Sequence, residues 1–205
     1  MKIKSVFFEY LKANKKTFFT LLIMFFIGIV VGIVFINNIS ENNKNEICLY
    51  VNSLKENIKK SNYINRKILL IQSIKQNINF ILIIWIFGCT ILGSFLIYLA
   101  VVYKGFSIGY TISAIIASLG IRKGIVFSMM SLVMQNLVFL PIMFILSEKG
   151  IKLYRNLKKN KFSNIKTELF GYLLILAISI VFSMIASFIE IYISTNFLIF
   201  FKEIL

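Results

Sequence analysis

Glu190 is the ionisable residue that falls inside a long apolar run of this chain, which has no histidine and no aspartate. A carboxylate at membrane depth is expensive, and it marks a proton site, an ion site or an ion pair with a lysine of another helix. Only Ile191, Tyr192 and Ile193 separate it from polar Ser194, which also fits a place at the outer interface. A proton relay needs several titrating groups, and no second one is buried in an apolar run. A structural or interaction role is therefore expected for Glu190.

Gln135 and Asn136 are the other polar pair in an apolar run, with Pro141, the only proline, six residues after Gln135. Adjacent side chains on a helix point about 100° apart. Each amide costs free energy unless it finds a partner. In membranes such groups hydrogen-bond across helices, which stabilises by about 0.6–2 kcal/mol. Pro141 leaves the carbonyl near Leu137 without its donor and is expected to kink the helix. A kink beside two amides can line a cavity or a partner groove, and interhelical bonding is the favoured reading. No HExxH, P-loop or GxSxG pattern occurs, and no pair of carboxylates has a working spacing. The chain is expected not to be an enzyme and to carry no cofactor or metal. Cys48 and Cys89 form no CxxC motif, and Cys89 reads as a small hydrophobe.

The elements that position these residues are set by composition. The sequence is 59% hydrophobic with a mean hydropathy of +0.86. Its apolar runs reach the roughly 20 residues needed to cross a hydrocarbon core of about 30 Å. The expected fold class is all-α: a polytopic membrane helical bundle, in a single domain over residues 1–205. Five transmembrane helices are expected, over residues 17–36, 79–103, 106–121, 125–147 and 169–194. Lys104-Gly105 and Arg122-Lys123-Gly124 read as tight turns between spans. Gly28 and Gly32 have the GxxxG spacing that lets helix backbones approach closely. The third span is short but rich in small residues, among them Gly109, Ser113, Ala114 and Ala117. Trp85, with Gly88 and Gly93 near it, suits a membrane interface.

Residues 37–78 form a polar loop with helical periodicity. Ile47, Val51, Leu54 and Ile58 make one apolar stripe, which Ile64, Ile68, Ile71 and Ile74 continue. Ser61 is a possible N-cap between two helical pieces. An amphipathic pair on the membrane surface is the expectation, with a partner-docking surface as the sharper reading. The basic start (Lys2, Lys4, Lys12, Lys15 and Lys16) followed by a long apolar run reads as a retained first membrane helix rather than a signal peptide. A short amphipathic tail is expected over 195–205.

The formal charge is +15. The Lys and Arg residues flank the apolar runs, where they set orientation and attract anionic lipid, so membrane lipids and not nucleic acid are the expected partners. The start and the loop holding Lys149, Lys152, Arg155, Lys158, Lys159, Lys161 and Lys166 lie on one side if the chain crosses five times. The amino terminus is then cytoplasmic, and loop 37–78 and the carboxy terminus are extracytoplasmic. Seven Lys plus Arg against three Glu in loop 37–78 weaken that bias.

The chain resembles the stage II sporulation protein M family. Trp85-x-x-Gly88 and Gly93 precede Lys104-Gly105-Phe106 and Gly109-Tyr110, which are similar to the family's Lys-Gly-Phe and Gly-Phe stretch. Gln135-Asn136 with Pro141 resembles its Gln-Asn-x-x-x-x-Pro segment, although Met134 stands where a proline usually precedes the Gln. Ala186 through Ser194, around Glu190, resembles the family's last-helix Glu followed by an aromatic residue. The resemblance implies a multi-pass protein of the mother-cell membrane at the sporulation septum. It implies a scaffold that localises two peptidoglycan-degrading partners, stage II sporulation proteins D and P, during engulfment. Alternatives from the residues alone are a small transporter or channel subunit using Gln135, Asn136, Pro141 and Glu190, and an intramembrane enzyme.

Overall fold

The computed structural model describes residues 14–60, 66–90, 92–129, 134–158 and 165–201. Among them are seven helices and no strand. In chain order they are α1 (Lys15–Asn38), α2 (Glu41–Lys60), α3 (Arg66–Gly88), α4 (Gly93–Leu119), α5 (Ile121–Ser128), α6 (Met134–Lys158) and α7 (Ile165–Phe201). Among the described residues four segments are long and apolar enough to cross a membrane: α1, α3, α4 and residues Lys166–Tyr192 of α7. The second half of α6 carries Glu148, Lys149, Lys152, Arg155 and Lys158, and α6 is not among the four.

The burial pattern is that of a bilayer protein. On α7, Ser179, Ser183, Ser187 and Ala186 are buried, while Leu173, Val181, Phe182 and Phe188 face outward. Helices in lipid gain little from burying leucine against leucine. Small residues that permit close packing, and hydroxyls that hydrogen-bond, therefore collect inside. A central apolar cluster of Leu21, Phe25, Ile84, Val101, Phe139 and Met143 joins the inner faces of α1, α3, α4 and α6.

Contacts fix the helix directions. A methyl group at Gly28 would overlap the Val102 carbonyl and lie 2.9 Å from Phe106 N, and one at Gly32 would lie 2.7 Å from Tyr110 N. Reciprocally, a methyl at Gly105 would fall on the Phe25 carbonyl, and one at Gly109 would lie 2.9 Å from Ile29 C. Rising numbers on α1 meet rising numbers on α4, so the two helices run parallel with backbones touching along a double glycine seam. On α3 and α7, Asn77 meets Ser187 and Ile84 meets Tyr172, so that pair is antiparallel. On α6, Phe139 packs near Phe80, and Gly150 lies beside Gly88, so α6 runs with α3. Thus α1, α4 and α7 point one way, and α3 and α6 the other.

Polar groups gather at the two ends of this arrangement. At one end Arg155 Nη1 donates to Thr17 Oγ1 (3.2 Å) and Asn156 Nδ2 to Glu168 Oε1 (2.6 Å), joining α6 to the starts of α1 and α7. At the other end Lys44 Nζ donates to the Asn37 carbonyl (3.0 Å), and Ser118 Oγ lies 3.5 Å from Cys48 Sγ. These contacts hold α2 against the ends of α1 and α4.

Several expected boundaries are corrected. Lys104-Gly105 is no turn but the middle of α4, and the break falls earlier, between Gly88 and Gly93. There Cys89 N–H donates to Ile86 O (3.0 Å), Thr90 N–H to Phe87 O (3.1 Å) and Gly93 N–H to Thr90 O (3.0 Å). The expected span 79–103 is thus divided between α3 and α4, and 106–121 is the second half of α4. Residues 66–78 are not part of a surface loop but the first half of α3. The turn expected at Arg122-Lys123-Gly124 lies at Gly120, whose φ of 79° and ψ of 164° suit glycine almost exclusively. Gly124 instead packs in α5 against Ile116 Cα. Segment 125–147 is shared by α5 and α6, and helix α6 continues through Pro141. Span one agrees with α1, and 169–194 lies within α7. Lys2, Lys4, Lys12, Ser61, Ile64, Lys159, Lys161 and residues 202–205 lie outside the described residues.

Candidate functional site

Where α3, α4, α6 and α7 meet, a cavity of about 550 Å³ is lined by Lys104, Glu190, Asn136, Asn77, Gln76 and Ser107, with Phe80 and Ile108 among its apolar walls. Helices α3, α4 and α7 present polar side chains at a helical spacing, and α6 adds Asn136. On α3, Ser73 and Asn77 are four residues apart and both buried; on α7, Ser183 and Ser187 repeat that spacing and Glu190 follows three residues later on the facing side. Asn77 Nδ2 donates to Ser187 Oγ (2.9 Å), which donates in turn to the Ser183 carbonyl (3.0 Å). Ser73 Oγ donates to Glu190 Oε2. This ladder clamps α3 to α7 and holds the carboxylate at the cavity wall.

Lys104 comes from α4. Its Nζ lies 4.7 Å from the centre of the Phe139 ring and 5.6 Å from that of Phe80. The ring faces carry negative quadrupole charge and stabilise an ammonium held away from water. Lys104 and Glu190 attract one another across the cavity. The site thus brings an amine and a carboxyl group to one cavity at membrane depth, together with the amides of Gln76, Asn77 and Asn136. It can bind a polar group at both poles.

Trp85 and Gly88 belong to a separate junction. Tyr172 of α7 donates its hydroxyl to the carbonyls of Ile84 (3.2 Å) and Trp85 (3.3 Å), near the carboxy end of α3, where the last turn lacks intrahelical donors. The Tyr172 ring stacks on Trp85 with centroids 6.3 Å apart. Its hydroxyl fits only because Gly88 and Gly150 have no side chain: a methyl at Gly150 would lie 2.7 Å from it. Among the described residues Trp85 Nε1 is buried without an acceptor. Tyr172→Phe is expected to lower the melting temperature through the loss of about 0.5–1.5 kcal/mol. Thermal unfolding of the purified chain checks this, and an unchanged transition contradicts the assigned bond.

The sequence-expected residues therefore divide three ways. Lys104, Asn136 and Glu190 meet at the cavity. Gly105 and Gly109 form the seam with α1. Trp85 and Gly88 surround Tyr172. Gln135 is on α6, but its side chain lies outside the described residues, and Pro141 is exposed on α6 away from the cavity lining. Sequence reasoning missed Ser73, Asn77, Ser187, Tyr172 and Gly150. The repeated four-residue spacing of polar groups on α3 and α7 was a usable signal for the first three.

A bundle of apolar helices with small and polar residues turned inward defines a multi-pass membrane protein. The family model of stage II sporulation protein M matches residues 21–195, and the chain belongs to that family. It is thus a membrane protein of a sporulation family. Neither a curated protein nor a solved structure matches it.

Proposed function

We propose that the chain is a non-enzymatic membrane scaffold that localises peptidoglycan-degrading proteins to the sporulation septum during engulfment, from the mother-cell side. Its partners in this reading are stage II sporulation proteins D and P. Family membership supports the setting. The observation that carries the partner-binding role is α2, a polar helix held by Lys44 and Cys48 against the bundle end opposite the basic one. In the proposed topology the basic end is cytoplasmic, because Lys and Arg are retained there. The chain crosses five times, α5 and α6 together making the fourth passage. The helix directions support this count, since α1, α4 and α7 are co-directional. Helix α2 then stands on the wall side, where wall-degrading partners act.

Replacing Glu41–Lys60 with a Gly/Ser linker of equal length is expected to leave the bundle in the membrane and abolish septal recruitment of a fluorescent hydrolase partner. Normal recruitment by a variant present at wild-type level would refute the reading.

The cavity around Lys104 and Glu190 favours a second reading, a small transporter or channel subunit with a polar site in the bundle. Flux of small ions and solutes through proteoliposomes separates the two: a scaffold passes nothing, and flux abolished by Glu190→Gln supports transport.

A further inference from the structure

The outward face of α3 is apolar at both ends and polar between them. Ile68 and Ile71 are exposed near its start, and Ile83 and Ile86 near its end. Between these, Gln72, Lys75, Gln76 and Asn79 are exposed, with Tyr103 and Ser107 of α4 across the mouth of the cavity. This polar band lies deep in the membrane. The cavity lining on α4 runs from Tyr103 to Thr111 and so takes in the middle of Gly93–Leu119. With 27 residues, α4 is about 40 Å long, and its centre falls near the centre of a hydrocarbon core of about 30 Å. Acyl chains form no hydrogen bonds with amides or amines. Lipid headgroups stay at the bilayer surface, so the cover that suits this band is another membrane-spanning protein surface.

The band is complementary to itself. Carboxamides both donate and accept, so Gln72 and Asn79 can pair with their own copies. At about 100° per residue, these two lie within about 20° of each other around α3. Lys75 falls about 60° to one side of Gln72, and Gln76 about 40° to the other, where the cavity opens. A symmetric pair in a membrane has its two-fold axis along the bilayer normal, so every residue meets the other copy at its own depth. Helices facing across such an axis set the left flank of one against the right flank of the other. Lys75 then stands before the second copy's cavity, two residues along α3 from Ser73, the donor to Glu190. The outward faces of α1 (Phe26, Val30 and Val31) and α7 (Val181, Phe182 and Phe188) are apolar and offer the band nothing.

We propose that the polar band of α3 is the interface of a two-fold dimer, covered by the same band of a second copy of this chain. Gln72 and Asn79 of the two copies exchange amide hydrogen bonds at the axis. Each Lys75 amine reaches into the other copy's cavity and donates to its Glu190 carboxyl. Exposed Ile68 and Ile83 pack on either side of the polar layer. Complementarity carries the choice of occupant: each copy has one donor amine on one flank and one acceptor carboxyl on the other, and a second copy supplies the match to both. The inference stands apart from the scaffold reading and survives its failure.

The test is energy transfer between donor-labelled and acceptor-labelled full-length chains in proteoliposomes, followed as lipid dilutes the protein. A dimer that dissociates on dilution is expected. Lys75→Met is expected to raise its dissociation constant about tenfold or more, the scale of a lost charge-assisted hydrogen bond, and Asn79→Leu to raise it several-fold. Both residues are exposed in the single chain, so neither change should disturb the fold, and circular dichroism checks this. Phe182→Ala, on the apolar face of α7, is expected to leave dimerisation unchanged. A second arm fixes the surface. In a background of Cys48→Ser and Cys89→Ser, Gln72→Cys is expected to form a disulfide between copies in native membranes under a lipid-soluble oxidant, and Val181→Cys to form none. Four results would overturn the proposal: no energy transfer at any protein density, an unchanged dissociation constant in either folded band variant, crosslinking through Val181→Cys in place of Gln72→Cys, or a Gln72→Cys variant joined to a different protein and not to its own copy.

Discussion

Gly109→Val is expected to separate α1 from α4. In this bundle a side chain at Gly109 meets the Ile29 backbone, and the three other seam glycines are equally closed by backbone. Backbone cannot move aside as a flexible side chain does, so the added atoms must push the helices apart. Overpacking of this kind costs about 1–3 kcal/mol and sometimes more. The loss falls on the pair with the most intimate packing, and in lipid no hydrophobic term re-seats it. Gly171 provides the contrast. A methyl there meets nothing within 4 Å, so Gly171→Ala is expected to be neutral or to stabilise by up to about 1 kcal/mol through helix propensity. Thermal unfolding in one detergent measures both variants. Equal melting temperatures for Gly109→Val and the wild type would remove the seam from this account.

Reversing either charge in the cavity is expected to have a comparably large effect. Lys104→Glu places two carboxylates around one cavity, and Glu190→Lys places two ammonium groups there. Both side chains are partly buried, and replacing attraction across the cavity by repulsion costs on the order of 1 kcal/mol or more. Each single reversal should therefore reduce the amount of folded protein recovered from membranes. The double exchange, Lys104→Glu with Glu190→Lys, restores opposite charges and should recover much of it. Full recovery is not expected. Ser73 donates to the native carboxylate, and Phe80 and Phe139 attend the native ammonium. If the double variant is no better than the sum of the singles, the two groups are not coupled.

The all-helical, multi-pass character was legible because long apolar runs have few other physical solutions. Half of the glycine seam was legible too, in Gly28 and Gly32. Of its other half, Gly109 stands out as a small residue of an expected span, whereas Gly105 reads as punctuation. Lys104-Gly105 interrupts an apolar run, and a charge beside a glycine normally marks a turn. Here the charge is tolerated in mid-helix because two aromatic rings and Glu190 surround it, a tertiary arrangement that local sequence does not reveal. The real turn, around Cys89 and Thr90, carries no charge and so left no mark in the hydropathy. For the same reason Lys104 was not seen as Glu190's counterpart, although an ion pair with a lysine of another helix was among the expectations for that carboxylate. Asn136 could be picked out as a buried amide, but which helices it would face depends on packing that the sequence does not encode locally.

The orientation of the bundle underlies the proposed role of α2, and the chain's own cysteines report it. Cys48 lies on α2, and Cys89 is exposed at the turn between α3 and α4. Desolvation holds the Cys89 thiol above its ordinary value, so thiolate is scarcer at neutral pH and labelling is best run under mildly alkaline conditions. A membrane-impermeant maleimide applied to intact protoplasts should modify Cys48 and spare Cys89, with Cys48→Ser and Cys89→Ser variants identifying each signal. Inside-out vesicles should give the reverse. Modification of Cys89 from outside, with Cys48 protected, would place α2 in the cytoplasm and contradict the scaffold as described.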